Sequence, residues 1–202
     1  MTTARVPKKT RSAASGVREA RRLETRSRLF EAAVSEIRQH GLAGADISAI
    51  ATAAGVARGT FYFHFPTKEH VLIEVEHNEE TRIISELGDA EGDLTSVLSR
   101  LVHYVLRAKH RLGAEVFQDM LGLHFSSTRP VENELRQHPL AEFVVDLIAR
   151  AQAANQVPQQ SDAAELGTFF LTGLFALLST GAHDPTLLNR YVSMIVKGME
   201  IR

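Results

Sequence analysis

The sequence predicts an all-α protein of about nine helices, and three features support this fold class. Apolar residues recur with a helical period along most of the 202 residues. Short stretches containing glycine or proline interrupt that period and divide the chain into segments of helix length. Residues that commonly begin or end helices stand at several segment ends. With 44% hydrophobic residues, the chain can form a small N-terminal domain beside a larger helical one.

The first predicted helix begins near Ala20 and acts as a scaffold. Its apolar face is formed by Leu29, Phe30, Ala33 and Ile37. Gly41, followed by the apolar Leu42, is typical of a glycine C-cap and is expected to end the helix.

The segment from Asp46 to Lys68 predicts two short helices joined by a tight turn. The apolar face of the first helix is formed by Ile47, Ile50, Ala51 and Ala54, at the i, i+3, i+4 and i+7 positions. Asp46 can cap this helix, and Gly55 provides the left-handed backbone of the turn. The second helix starts near Arg58. This pattern indicates a helix-turn-helix, whose second helix presents its N-terminal residues to the major groove of DNA.

Six further helices are predicted between the later glycine- and proline-containing breaks. Their approximate spans are 68–87, 93–110, 114–126, 132–155, 162–180 and 185–201. The last helix has the clearest start, because Asp184 can cap it and Pro185 suits its first position.

Charge divides the chain although its net charge is only −1. Residues 1–70 contain 12 Lys and Arg against 6 Asp and Glu, whereas residues 71–202 contain 11 against 18. A basic part joined to an acidic part is typical of a nucleic-acid-binding module attached to a domain with another partner. We therefore expect a DNA-binding domain at 23–70 and a separate helical domain at 71–202.

Residues 1–22 are predicted to form a basic, flexible arm ahead of the first domain. Its cations are Arg5, Lys8, Lys9, Arg11, Arg18, Arg21 and Arg22. Such an arm can lie along phosphates or in a minor groove, where it adds affinity by counterion release and carries little sequence information. A solvated charged tail is the alternative interpretation.

Composition and motifs exclude several classes of protein. The chain contains no cysteine, which removes disulfides, catalytic thiols and cysteine-based zinc sites. No apolar run reaches membrane-spanning length and no signal-peptide core is present, so a cytoplasmic protein is expected. No phosphate loop, nucleophile elbow or paired-carboxylate motif is found, so we expect neither an enzyme nor a cofactor.

Metal binding is also not expected. His103 and His110 lie two helical turns apart, and His124 and His138 lie further along the chain. Histidines that bind one metal from one helix usually stand three or four residues apart. No carboxylate pairs with these histidines in a recognisable ligand pattern.

Several short sequence motifs resemble, in their order and spacing, the DNA-binding domain of the TetR family of transcriptional regulators. They are Leu29-Phe30-Glu31-Ala32-Ala33, Gly41, Ile50-Ala51, Ala54-Gly55-Val56, Gly59-Thr60-Phe61-Tyr62, His64-Phe65 and Lys68-Glu69. The resemblance covers about Thr25 to Leu72. Leu42 replaces the usual aromatic residue, Asp46 the usual Thr or Ser cap, and Ala57 the Ser that usually caps the second helix. Loss of such a cap costs typically about 1 kcal/mol.

Chemistry and the resemblance together predict six DNA contacts. These are Arg58, Gly59, Thr60, Tyr62, His64 and Lys68. Arg58 can bond a guanine edge or a phosphate, and the Thr60 methyl suits a thymine methyl group. Gly59 lets the backbone approach DNA, or is simply a tolerated glycine at a helix start. The last three resemble the family's phosphate contacts, which fix register rather than sequence.

Three phenylalanines accompany these residues. Phe61 and Phe65 are expected in the core, and Phe63 is left unassigned.

The resemblance implies that the middle helices enclose a pocket for a small, largely apolar effector that shifts helix 68–87 and releases DNA. The candidate pocket residues are His103, Tyr104, Phe117, Met120, Leu121, His124, Phe125 and Phe143. Ordinary core packing is the alternative for the aromatic residues and Met120, and solvent exposure is the alternative for the histidines.

The last two helices are predicted to form a homodimer interface. The candidate residues are Leu166, Phe170, Gly173, Leu174, Leu177, Leu188, Tyr191 and Ile195. Burial within one subunit is the alternative. A symmetric dimer would place two reading helices about 34 to 36 Å apart on a near-palindromic operator.

The resemblance thus implies a repressor that a small molecule releases from its operator. An activator or a ligand-independent regulator is the alternative, and a non-specific architectural DNA-binding protein is the other class considered.

Overall fold

The computed structural model describes residues 10–88, 91–130 and 138–200, and these residues contain nine α-helices and no strand. The helices are α1 (Thr10–Gly44), α2 (Ile47–Ala53), α3 (Arg58–His64), α4 (Lys68–Leu87), α5 (Leu94–Leu112), α6 (Ala114–Leu123), α7 (Pro139–Ala153), α8 (Ala163–Ser179) and α9 (Pro185–Glu200). The chain divides into two compact units, residues 1–71 and 72–202. None of the described helices is long and apolar enough to cross a bilayer.

In the N-terminal unit, α1, α2 and α3 pack around an aromatic and aliphatic core. Phe61 and Phe65 are fully buried, which confirms their prediction as core residues, whereas Phe63 is 73% exposed. Asp46 caps α2 as predicted, because its carboxylate accepts a hydrogen bond of 2.8 Å from the Ser48 amide. Gly55 adopts the positive φ of 67° that its turn requires.

The first helix begins earlier than predicted. It starts at Thr10 rather than near Ala20, so residues 10–22 are helical where a flexible arm was expected. Alanine and arginine favour helix in this stretch and no proline interrupts it. Residues 1–9 of the predicted arm lie outside the described residues. Near its other end, α1 is broken at Gly41, whose φ is 68°, as the predicted glycine cap requires.

In the C-terminal unit, α8 packs against α6, α7 and α9, and α5 packs against α6 and α9. Two predicted boundaries are wrong. Helix α7 starts at Pro139, with His138 in an extended conformation before it, because proline suits the first turn of a helix. The start predicted at residue 132 lies outside the described residues. Helix α6 ends at Leu123 rather than 126, where the Ser126 hydroxyl accepts a bond from the Thr128 amide and favours a turn.

Candidate DNA-reading helix and buried carboxylate cavity

Helix α3 presents several of the predicted DNA contacts on the surface of the N-terminal unit. Arg58, Gly59 and Tyr62 are exposed, and Thr60 is half-buried. Arg58 donates hydrogen bonds to the Ser48 hydroxyl (3.2 Å) and to the Tyr62 hydroxyl (3.4 Å). These bonds hold a guanidinium and a phenol side by side near the start of the helix, where both can reach a DNA groove and its phosphates.

The start of α3 lacks a side-chain cap. Ala57 has the extended backbone of an N-cap residue but makes no capping hydrogen bond, as its lack of a side-chain oxygen predicts. The first turn is held instead by a backbone bond of 2.8 Å from the Thr60 amide to the Ala57 carbonyl.

His64 and Lys68 differ from a simple exposed phosphate contact. His64 is half-buried, and burial together with the charges of Arg22 and Arg26 lowers the pKa of its ring, which is therefore neutral at pH 7. The Lys68 ammonium donates to the carbonyls of Ala43 (3.2 Å) and Ala45 (2.9 Å). Two of its three donors thus hold the last turn of α1 and the residue that follows the helix, and one remains for a phosphate.

A small cavity of about 20 Å³ lies inside the C-terminal unit. Four of the eight predicted pocket residues line it: Phe117, Met120, Leu121 and His124. The other four do not. His103 and Phe125 are exposed, while Tyr104 and Phe143 are half-buried on other surfaces. Tyr104 instead stacks under the Arg107 guanidinium, 5.4 Å from the ring centroid, because the opposite face of α5 supplies the core.

Three carboxylates that the sequence analysis missed also line this cavity. Glu76, Glu79 and Glu80 come from α4, on the side that carries the buried Val75 and Ile83. Acidic residues at core-facing positions of an amphipathic helix were the available signal, but carboxylates usually mark a solvated face.

Glu76 is 3% exposed and accepts several charged or polar donors. His124 Nε2 lies 2.7 Å from its carboxylate, Arg129 Nη2 lies at 3.0 Å, and His138 Nδ1 lies at 3.5 Å. Burial alone would raise the pKa of Glu76, but the hydrogen bonds from the two histidines and the Arg129 charge outweigh it and hold the pKa well below its usual range. Glu76 is therefore a buried anion at neutral pH.

Glu80 is 6% exposed and has weaker partners. The Leu140 amide donates to it at 3.3 Å, and His138 Nδ1 lies 3.8 Å away. Glu76 and Glu80 raise the pKa of His138 to about 9. Arg129 opposes this, because it donates to His138 Nε2 at 3.2 Å and that contact needs a free lone pair. The two carboxylates that face the ring outweigh this contact, so the pKa of His138 stays above its usual value.

The same cluster corrects the expectation that no carboxylate accompanies the histidines. One ligand atom each from Glu76, Glu80 and His138 lie within 4.8 Å of one another, a spacing that a metal ion could bridge. However, Arg129 contacts both Glu76 and His138. Its fixed charge disfavours a divalent cation at that position.

The predicted dimer residues divide into two groups. Phe170, Leu174 and Leu188 are fully buried within the C-terminal unit, so they belong to its core and are not available to a partner. The others are half-buried. They share the surface with Phe169 and Met194, which are 56% and 65% exposed and were not predicted as interface residues.

These residues, which are not buried within the unit, are here called the α8–α9 face. Its members are Leu166, Phe169, Gly173, Leu177, Tyr191, Met194 and Ile195. Tyr191 joins the two helices, because its hydroxyl donates a bond of 2.6 Å to the Phe170 carbonyl and its ring lies against Gly173. A side chain at Gly173 would collide with that ring.

Comparisons with known proteins agree in one family. The family described as bacterial regulatory proteins, tetR family, matches residues 29–75. The HTH-type transcriptional regulator EthR of Mycolicibacterium smegmatis is 31% identical over 160 residues, which cover 76% of this chain and 67% of EthR. The HTH-type transcriptional regulator AcrR of Shigella flexneri is 32% identical over 93 residues, and this match covers 42% of the chain and only 41% of AcrR.

Solved structures share the fold of this chain. Thermus thermophilus FadR, a TetR family repressor solved in complex with lauroyl-CoA, has a TM-score of 0.66 at 20% identity, over 88% of this chain and 96% of FadR. At this identity the likeness concerns the fold.

Proposed function

Since the chain belongs to the tetR family of bacterial regulatory proteins, we propose that it is a sequence-specific transcriptional regulator, a repressor that a small molecule releases from DNA. The observation that carries the proposal is the N-terminal unit, in which a capped α2, a glycine turn and α3 present Arg58 and Tyr62 together. Because the proposed target is chromosomal DNA, the proposal places the protein in the cytoplasm.

In the proposed complex, the start of α3 enters the major groove. Arg58 and Thr60 read base edges, while Gly59 allows close approach of the backbone. Tyr62 and the remaining Lys68 donor contact phosphates, as His64 does through a neutral ring. Lys68 also donates hydrogen bonds to two backbone carbonyls at the end of α1, so its replacement affects folding as well as affinity.

We further propose that the protein acts as a homodimer through the α8–α9 face. Two large apolar side chains on that face, Phe169 and Met194, are more than half exposed in the single chain. An exposed apolar patch of this kind is typical of an interface. Pairing by two-fold symmetry would give two reading helices and a near-palindromic operator.

Release is proposed to act through α4. This helix is continuous from Lys68 to Leu87; its first residues, up to Val71, belong to the DNA-binding unit. Glu76, Glu79, Glu80 and Ile83 of the same helix line the cavity. An effector that binds better to a displaced α4 than to the DNA-competent position would weaken operator binding, with a coupling of about 1 to 3 kcal/mol.

The test is selection of the purified protein against random double-stranded DNA at one fixed salt concentration. We expect a single near-palindromic motif. Arg58→Ala should lose preference at one symmetric pair of positions, by about 1 to 3 kcal/mol. The matched control is Arg82→Ala, which removes an exposed arginine from the C-terminal unit and should select the wild-type motif. Enrichment of no motif, or loss of preference in both variants, would contradict the proposal.

A further inference from the structure

From the cavity of the C-terminal unit we infer the chemical class of the effector: an organic cation, with an apolar body and an amine that pairs with Glu80. The inference rests on the proposed function only in assigning this molecule a regulatory role. The binding of such a molecule at Glu80 follows from the cavity itself.

The cavity wall is rich in carboxylates. Among the described residues, its twelve lining residues include three carboxylates, Glu76, Glu79 and Glu80, while His124 is the basic residue among them and neither lysine nor arginine is present. A carboxylate or phosphate ligand placed against this wall would meet like charges in a poorly solvated site. A positively charged group would meet opposite charges there.

The three carboxylates of the wall are unequally paired. Glu79 accepts two hydrogen bonds from Arg111, at 3.1 and 2.7 Å. Glu76 is held by His124 and Arg129. Within the described residues, Glu80 accepts one long bond from a backbone amide, and its nearest cationic group is His138 Nδ1 at 3.8 Å. A carboxylate that is 6% exposed is costly unless it is well paired. Of the three carboxylates, Glu80 is therefore the one that can best accept a further hydrogen bond from a ligand.

The rest of the wall suits an apolar body. Phe117 and Phe175 bring aromatic rings to the cavity, and Ile83, Val105 and Met120 complete an aliphatic surface. Aromatic faces attract cations as well as apolar groups. A cavity of about 20 Å³ holds about one water molecule. An organic ligand must therefore widen it, and since Glu80 and Ile83 lie on α4, widening presses on α4.

A divalent metal is the competing cation, and the position of Arg129 argues against it. The guanidinium lies 3.0 Å from Glu76 and 3.2 Å from His138, two of the three possible ligands. It does not line the cavity. Among the described residues, Glu80 contacts the Leu140 amide and His138 but not Arg129. An amine that reaches Glu80 from the cavity therefore avoids the guanidinium, whereas a bridging metal would lie beside it.

The experiment uses three probes with one body and different head groups: phenethylamine, phenethyl alcohol and phenylacetate. Each is titrated calorimetrically into the purified full-length protein, and zinc chloride is titrated separately. We expect the amine to bind at least about tenfold more tightly than the alcohol, because a charge-assisted bond adds about 1.5 to 3 kcal/mol. We expect phenylacetate to bind more weakly than the alcohol.

Variants locate the amine. Glu80→Gln keeps the shape and the acceptor for the Leu140 amide and should abolish the preference for amine over alcohol. Glu86→Gln removes a carboxylate from the same helix outside the cavity and should leave the preference unchanged. Thermal unfolding of both variants establishes that they are folded.

Four results would overturn the inference. These are no binding of the amine, equal or tighter binding of the alcohol or phenylacetate, an unchanged preference in Glu80→Gln, and zinc binding that excludes the amine. Release of DNA by the amine is measured separately on the selected operator. Failure of that step alone would count against the proposed function, while the calorimetric result would still decide the ligand class.

Discussion

Glu76, Glu80 and His138 form a charged cluster at positions where a helical domain normally places apolar side chains. The two carboxylates stand one helical turn apart on the buried side of α4. They are tolerated because His124, Arg129 and His138 supply positive charge or hydrogen-bond donors from other segments. Breaking one member of such a cluster leaves an uncompensated buried charge, which is more costly than the loss of an exposed ion pair.

The contacts of His138 with Glu76 and Glu80 predict a pH-dependent stability. Its pKa is raised from 6.5 to about 9 by the carboxylates. The stabilisation is therefore fully present below pH 6.5 and is lost as the pH rises through about 9. We expect the free energy of unfolding to fall by about 1 to 3 kcal/mol across that window. The contact of Arg129 with the ring favours the lower end of this range.

Urea unfolding of the wild type and His138→Gln across that window measures the effect. The plot of unfolding free energy against pH should have a smaller slope in His138→Gln than in the wild type. The control His103→Gln replaces an exposed histidine on α5 and should keep the wild-type slope. Equal slopes in the wild type and His138→Gln would show that His138 does not carry the pH dependence.

Residue-level prediction from the sequence succeeded where a motif or a helical face defines the environment. Phe61 and Phe65 are core residues, and Phe117, Met120, Leu121 and His124 come together in one cavity. It failed for His103 and Phe125, because periodicity identifies one face of a helix but not the neighbour that covers it. It missed Glu76 and Glu80, because only the fold brings their distant partners together.

At the scale of the elements, helix ends beside a glycine or proline break were predicted best. Helix α4 spans Lys68–Leu87 as predicted, and α9 begins at Pro185 as predicted. The start of α7 was missed although Pro139 signals it. Proline has no amide hydrogen to donate to a preceding turn, so a helix begins readily at Pro139.

The uncapped start of α3 leads to a prediction at this scale. Ala57 already has the φ of −72° and ψ of 148° of an N-cap residue, so Ala57→Ser can supply the missing oxygen without changing the backbone. We expect a gain of about 1 kcal/mol in the stability of the N-terminal unit. DNA binding should strengthen as well, because less of the ordering of α3 is then left to the complex.

Thermal unfolding and operator titration measure these two quantities. The control Asp46→Ala removes the cap of α2 and should lower stability by about the same amount. If Ala57→Ser changes neither quantity while Asp46→Ala does, the missing cap of α3 limits neither the stability of this unit nor its affinity for DNA.

At the scale of the whole molecule, the sequence predicted the two helices of the proposed interface but did not separate their outward-facing residues from their buried ones. Phe170, Leu174 and Leu188 share helices with the α8–α9 face, yet they are buried in their own subunit. Both faces of α8 are apolar, with leucine and phenylalanine all around it. Periodicity therefore cannot distinguish the side that packs inward from the side left for a partner.

Phe169 and Phe125 allow a matched test of the proposed dimer. Both are exposed phenylalanines of the C-terminal unit, at 56% and 53%, but only Phe169 lies on the α8–α9 face. Phe169→Glu would place two uncompensated carboxylates in a symmetric interface, which should weaken dimerisation roughly 100-fold or more. Phe125→Glu adds the same charge elsewhere and should remain dimeric. Sedimentation measures the oligomeric state of both variants.

A monomeric Phe169→Glu should retain weak binding to an operator half-site and lose the added affinity of the full palindrome, because only a dimer engages both halves at once. Dimerisation that survives Phe169→Glu but is lost in Phe125→Glu would place the interface on another surface.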